Sequence, residues 1–314
     1  VPSVDISSRI IFGPVISRRF GKSLGIDLSP SRKQCNFDCL YCELAPVKTI
    51  ASYTDIVPVK IVIEALQKLL EKYKDIDVIT ITANGEPTLY PYLGELVSEI
   101  NRFKGNIKTL ILSNGSTIDD PKVQDALLGI DMVKLSLDCA TQECLKKLDR
   151  AHGGIVIHKI KEGMLSFRAL YKGVLIIEIL FVETINDKAE EIAKLNDFLS
   201  LLRPDRIDIS TIDRPPAYKV KPLSYEALKK IAGEFDSSLP LHIASRKKTE
   251  AKQEHYSDEE ILRTLSKRPF SDEDIETLFD LGSRQRLQNM ILQGKISIKE
   301  TNGIKFYGVS QNKP

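Results

Sequence analysis

Residues 23–43 read SLGIDLSPSRKQCNFDCLYCE, a short strand-like run followed by a loop that holds three of the chain's five cysteines. Cys35, Cys39 and Cys42 are spaced C-x3-C-x2-C. Thiolates are soft ligands that select zinc or iron–sulfur clusters. A structural zinc wants four ligands, and the fourth would have to be Cys139, Cys144 or a distant histidine. Neither His152 nor His158 stands in a ligand-spaced pair with the triplet. A [4Fe–4S] cube held by three cysteines keeps one iron open to a substrate or cofactor. From spacing alone, a zinc knuckle and cysteines buried as small hydrophobes also stay open.

Outward from this loop, strand and helix patterns alternate. VKIVIEALQKLLEKYK (59–74) has the apolar period of a helix, and DVITITA (77–83) that of a strand. LGELVSEINRF, PKVQDALLG, TQECLKKLDR, VIHKIKEGMLSFRALY and KAEEIAKLNDFLSLL read as helices. IKTLILS (107–113), DMVKLSLD (131–138), GVLIIEILFV (173–182) and DRIDIST (205–211) read as strands. Such alternation means parallel strands with right-handed crossovers, in a β/α barrel or a doubly wound sheet. Polar, small or ligand residues follow four strand ends: the cysteines, NGEPT, SNGS and SLD. That favours one shared site at a barrel mouth. The expected fold is α/β, a partial (β/α)6 TIM-like barrel over 1–240 whose residues 1–22 form a polar N-terminal cap. Residues 241–255 read as a linker. Three short helices and a hairpin with an Asn-Gly turn over 256–314 resemble a small winged helix-turn-helix domain.

Composition excludes some functions. The net charge of +2 gives no chain-wide basic field for nucleic acid. The longest apolar run, 174–182, is interrupted by Glu178, so no membrane span is expected. VPSVDISSRI lacks the features of a signal peptide, and clustered cysteines do not make a secreted disulfide framework. The expected location is cytoplasmic.

The cysteine spacing, with Tyr41 just before the third cysteine, resembles the signature of the radical S-adenosylmethionine (radical SAM) enzymes. The resemblance implies two cofactors, a [4Fe–4S] cluster on Cys35, Cys39 and Cys42 and S-adenosylmethionine on the open iron. It implies reductive cleavage to methionine and a 5′-deoxyadenosyl radical that takes hydrogen from a substrate, with a reducing electron donor such as ferredoxin or flavodoxin. NGEP (84–87) is similar to the superfamily's GGE loop, with Asn84 in place of the first glycine and Gly85 and Glu86 matching; Glu86 is expected to meet the methionyl ammonium. LSLD (135–138) is similar to a motif whose Ser and Asp, here Ser136 and Asp138, bind ribose and carboxylate. Ser113 and Asn114 of SNG look like a cofactor-side loop. In LFVETIND, Val182 is expected against adenine with Asn186 near it. The stretch GPVISRRFGKSLGIDLSPSRKQCNFDCLYCE resembles a prokaryotic subgroup grouped with wybutosine-biosynthesis-like radical enzymes.

Arg18, Arg19 and Arg214 are candidates for an anionic substrate. Cys139 and Cys144 read as packing residues or redox partners; two thiols cannot hold a second cluster of the same type, which argues against a methylthiotransferase. His152 is a candidate acid/base. On the C-terminal module, Arg284, Arg286, Lys295, Lys299 and Lys305 fall on the third helix and wing, the surface such modules present to nucleic acid. The expected substrate is therefore a macromolecule, RNA or tRNA ahead of protein. The alternatives are a small-molecule substrate, or a zinc-bearing nucleic-acid-binding protein with no catalysis.

Overall fold

The computed structural model describes residues 7–17, 20–243, 253, 255–267, 269–301 and 304–310. A short helix α1 (Ser7–Ile10) leads into strands β1 (Ile11–Ser17) and β2 (Gly21–Asp27). Then come α2 (Val59–Lys72), β3 (Val78–Thr82), α3 (Leu93–Phe103), β4 (Lys108–Ser113), α4 (Pro121–Leu128) and β5 (Met132–Ser136). Two helices, α5 (Gln142–Leu148) and α6 (Ile157–Leu170), precede β6 (Val174–Phe181). The barrel elements finish with α7 (Ala189–Leu202), β7 (Arg206–Thr211), α8 (Tyr225–Ala232) and β8 (Leu241–Ile243).

These strands form one sheet in sequence order, β1 to β8. β2 to β8 are all parallel, and β1 is antiparallel to β2. Among the described residues β1 and β8 are edges that do not pair, so the barrel is partial, as expected. Two details differ from the sequence reading. Residues 11–17 lie in the stretch read as a polar cap and are an edge strand. Gly13 and Pro14 hid its period, and the register shifts between Phe12 and Val15, the kind of irregularity that lets an edge strand hold proline. The sheet also runs past residue 240, because β8 pairs with β7 through Leu241 and Ile243.

Alternation along each strand separates two faces. One face, including Ile26, Ile79, Ile111, Val133, Ile177 and Ile209, is wholly buried under the helices. The other faces the lumen, where a filled barrel stacks branched apolar side chains. Here β5, β6 and β7 instead place Lys134, Glu178, Arg206 and Asp208 there. Lys134 Nζ lies 2.6 Å from Glu178 Oε1 and 3.5 Å from Asp208 Oδ2, and Arg206 Nε lies 2.7 Å from Asp208 Oδ1. On the same face Leu110 and Ile176 are buried and Leu112 is 37% exposed, so this side of the sheet mixes apolar and charged residues.

The C-terminal module contains α9 (Asp258–Lys267), β9 (Phe270–Ser271), α10 (Asp272–Leu278), α11 (Leu281–Leu292), β10 (Ile296–Thr301) and β11 (Ile304–Val309). The three helices and the hairpin are as expected, with β9 adding a third strand; the Asn-Gly turn lies outside the described residues. The module has its own core around Phe270, Phe279 and Leu287, and Val15 of β1 packs against it. The Tyr256 hydroxyl donates to Pro14 O (2.9 Å), and Glu260 pairs with Lys72 (2.6 Å) and accepts from Tyr73 Oη (2.9 Å). No helix among the described residues is long and apolar enough to cross a membrane.

Asp131, at the foot of β5, joins neighbouring elements. Its Oδ2 accepts from Lys104 Nζ (2.7 Å) and from the Thr109 amide and hydroxyl (both 2.9 Å). Burial opposes its charge, but these donors outweigh burial and hold the carboxyl below the usual carboxylate range. A depressed folded-state pKa gives stability that is present above about pH 4 and lost as pH falls. Asp131→Ala is therefore expected to cost about 2 kcal/mol at pH 7. Urea titrations should show the gap from wild type narrowing below about pH 4.

Candidate active site

The cysteine loop is docked on both sides by backbone. On one side Gln34 N donates to Asn84 O (2.9 Å) and Glu86 N donates to Gln34 O (3.0 Å), forming a parallel bridge between Gln34 and Gly85. Gly85 has φ +139°, and a Cβ there would sit 1.8 Å from Gln34 O, so only glycine allows the approach. On the other side Asp38 N donates to Asp149 O, Leu40 N to Leu148 O, and His152 N to Asn36 O. The segment after β7 closes over the top: Ala217 N donates to Cys42 O (2.8 Å), Tyr218 Oη to Asp38 Oδ2 (2.6 Å), and Arg214 to both Glu43 oxygens (3.1 Å each).

Glu86 joins two strand-end loops. Its Oε1 accepts from the Thr88 amide (2.9 Å), the Thr88 hydroxyl (2.7 Å) and Ser113 Oγ (2.7 Å), and its Oε2 accepts from Asn114 N (2.7 Å). The carboxylate is buried, which raises its pKa against those four donors. Asn114 Nδ2 reaches Asn36 Oδ1 (2.9 Å) and Cys35 Sγ (3.9 Å), so the SNG loop touches the cysteine loop directly.

The end of β5 supplies the second joint. Asp138 Oδ2 accepts from the Tyr41 hydroxyl, and Oδ1 accepts from Leu180 N (2.7 Å). Asn186 donates to Asp138 O and Leu180 O (2.9 Å each) and accepts from Val182 N (2.8 Å). Burial raises the Asp138 pKa, and the Glu178 charge adds to the rise. Asp149, which sequence reasoning passed over, is buried nearby; burial and then the Asp138 charge raise it, while the Cys39 thiol donates to it. Phe37, Tyr41, Asn114, Ser136, Asp138 and Asp149 line one cavity between the cysteine loop and the ends of β4 and β5.

The three loop thiols are free and half-buried. Burial, then the Glu86 charge, pushes Cys35 up to about 12; burial, then the Asp149 charge, also raises Cys39 well above the usual thiol value. Such thiols ionise on binding a metal and release their protons. Zinc with Zn–S bonds near 2.3 Å brings its sulfurs within about 4 Å of one another. Among the described residues the one trio whose ligand atoms all lie within 4.8 Å of one another is Cys139, Cys144 and Glu191. The three loop sulfurs are not all within that distance of one another. The Cys139–Cys144–Glu191 trio does not suit a metal. Cys139 and Cys144 form a disulfide, and Glu191 accepts from the Thr141 amide (3.0 Å) and hydroxyl (2.8 Å) and from the Ala140 amide.

The family model for the radical SAM superfamily matches residues 31–196. The chain belongs to the radical SAM superfamily. A UPF0026 protein of Helicobacter pylori (strain J99) is 42% identical over 300 residues, covering 95% of this chain and 97% of its own. A UPF0026 protein of Methanocaldococcus jannaschii is 34% identical over 310 residues, covering 95% of each. A radical SAM methyltransferase from Sphaerobacter thermophilus shares the fold, with a TM-score of 0.57 at 14% identity over 72% of this chain and 67% of its own. The radical SAM chain is therefore an iron–sulfur enzyme, with a [4Fe–4S] cluster and S-adenosylmethionine as its cofactors.

The structure brings Tyr41, Asn84, Gly85, Glu86, Ser113, Asn114, Ser136, Asp138 and Asn186 around the cysteine loop. It gives several of them different work from that expected. Glu86 is occupied as a clamp between loops. Val182, expected against adenine, is wholly buried, held by Asn186 and by a bridge to Pro222. Arg214 is paired to Glu43, Cys139 and Cys144 are bonded to each other, and the His152 ring lies 2.9 Å from Gly153 O. Arg284 Nε donates to Phe279 O (2.9 Å), and Arg286 is exposed and lies 3.5 Å from Asp258 at the module's surface. Arg18 and Arg19 lie outside the described residues.

Gly85→Ala tests the docking. It forces both an unfavourable φ and a collision with Gln34, at a cost of roughly 1–3 kcal/mol. Limited proteolysis is expected to cut within residues 35–50 faster than in wild type. Unchanged cleavage would mean that the bridge does not hold the loop.

Proposed function

We propose that Cys35, Cys39 and Cys42 hold the cluster and that S-adenosylmethionine sits between it and the ends of β4 and β5. The observation that supports this reading is three free thiols on one loop that is docked by hydrogen bonds against the loops and strand ends around it. When bound, the cluster supplies the electron that cleaves S-adenosylmethionine into methionine and a hydrogen-abstracting 5′-deoxyadenosyl radical. The protein contributes position and exclusion of water. Tyr41 fixes the Asp138 carboxylate, Asn186 ties the Asp138 carbonyl to the end of β6, and Ser136 opens onto the cavity beside it. A donor such as ferredoxin or flavodoxin in the cytoplasm fits the reducing chemistry.

The test is anaerobic reconstitution with iron and sulfide, reduction with S-adenosylmethionine, and chromatography for 5′-deoxyadenosine. Wild type is expected to bind about four irons and release the product. Alanine at any of the three cysteines is expected to abolish both. Iron content unchanged in those variants would sink the ligand assignment.

For the substrate we retain RNA as the first reading, resting on the exposed Lys299 and Lys305 of the hairpin. Replacing both with Glu is expected to weaken RNA binding and lower the slope of log affinity against log salt by about 1–2. Equal affinity and slope in the double variant would end the hairpin's role. A small polar substrate is the second reading, favoured by the charged side chains that β5, β6 and β7 place on the face they share with Ser136. Glu178 joins Ser136 and Asp138, since its carbonyl accepts from Leu137 N (2.9 Å) and its charge acts on Asp138. Adding a cellular RNA fraction or a small-molecule fraction to the reduced enzyme separates the two readings by which one raises the 5′-deoxyadenosine yield. Under the lumen reading, Glu178→Gln loses the increment that the small-molecule fraction adds to its own basal yield.

A further inference from the structure

We propose that Lys33 tunes the reduction potential of the cluster, its ammonium stabilising the reduced state from beside Cys42. The inference rests on the assignment of Cys35, Cys39 and Cys42 as cluster ligands.

Lys33 Nζ lies 3.5 Å from Cys42 Sγ and donates toward it. Its charge also reaches Cys35, where it favours the ionised sulfur. Among the described residues Lys33 makes no ion pair with a carboxylate, although lysines at a loop surface commonly find one. It is half-buried, which limits screening by water.

The backbone beneath it is fixed. The next residue, Gln34, is buried, and its side chain donates to Ser29 Oγ and Asp55 O (2.8 Å each) while accepting from Thr54 N (2.9 Å) and Asp55 N (3.0 Å). Its main chain forms the bridge to Gly85. The Lys33 stem therefore leaves a rigid point two residues before the first cysteine.

The other charges at these sulfurs have the opposite sign. Glu86 acts on Cys35, and Asp149 and Asp138 act on Cys39, each opposing added negative charge. Reduction adds one electron to an assembly that three thiolates already make anionic. Net charge and hydrogen bonds to the sulfurs set such potentials. A cation hydrogen-bonded to a ligand sulfur makes the electron easier to accept, and among these named neighbours Lys33 is the residue that supplies one.

The test is an EPR-monitored redox titration of the reconstituted full-length protein without S-adenosylmethionine. Lys33→Met is expected to shift the midpoint to more negative potential at unchanged iron and sulfide content. Lys33→Arg is expected to restore most of the shift. Lys48→Met, which removes an exposed charge from the same loop, is expected to leave the midpoint where it is. A Lys33→Met protein with full cluster content and the wild-type midpoint overturns the proposal. A shift seen only with S-adenosylmethionine present also overturns it, because Lys33 then acts on the cofactor. Cluster loading in Lys33→Arg but not in Lys33→Met overturns it too, because the charge then serves assembly. Failure of the underlying ligand assignment looks different, since then either wild type binds no cluster or the three cysteine-to-alanine variants keep theirs.

Discussion

The backbone bridge between Gln34 and Gly85 is the constraint on which the site depends. A loop of three thiols has no secondary structure of its own, and its geometry must be borrowed. One side takes it from the loop after β3, the other from residues 148–152, and the segment after β7 covers it. Side chains then extend the scaffold: Glu86 ties the β3 loop to the β4 loop, and Asp138 ties β5 to Tyr41 and to β6. A metal cluster gains from this arrangement because its ligands are placed before it arrives.

The lumen shows a different balance. Replacing a buried ion-pair network with apolar side chains is often neutral or stabilising, so Lys134, Glu178, Asp208 and Arg206 are not what stability alone selects. They line the side of the barrel that leads to Asp138. Stability comes from the opposite face of the same strands, where Ile and Val are wholly buried. One set of strands thus carries an apolar core on one side and a network of charged pairs on the other.

Much of this was legible in the sequence. Helix and strand periods from Val59 to Thr211 located the barrel elements to within a residue or two, because each has one apolar face. The cysteine spacing and the polar residues after four strands placed the site. What the sequence hid was long-range partnership. β1 was obscured by Gly13 and Pro14. Glu86 was legible as a site carboxylate, but its occupation by Thr88, Ser113 and Asn114 depends on contacts across two loops. Asp149 carried no motif; its burial follows only from the docking of Asp38 and Leu40 beside it. Helix position showed Arg284 and Arg286 as basic residues but not the Phe279 carbonyl that Arg284 reaches.

The central claim is that three docked cysteines hold a cluster with one iron open to S-adenosylmethionine. The most direct measurement is the EPR spectrum of the reduced, reconstituted protein before and after S-adenosylmethionine is added. The account predicts a reduced-cluster signal whose shape and g-values change on addition, because the cofactor binds the open iron. A signal that S-adenosylmethionine leaves unchanged, or a protein that takes up zinc in place of iron, would contradict it.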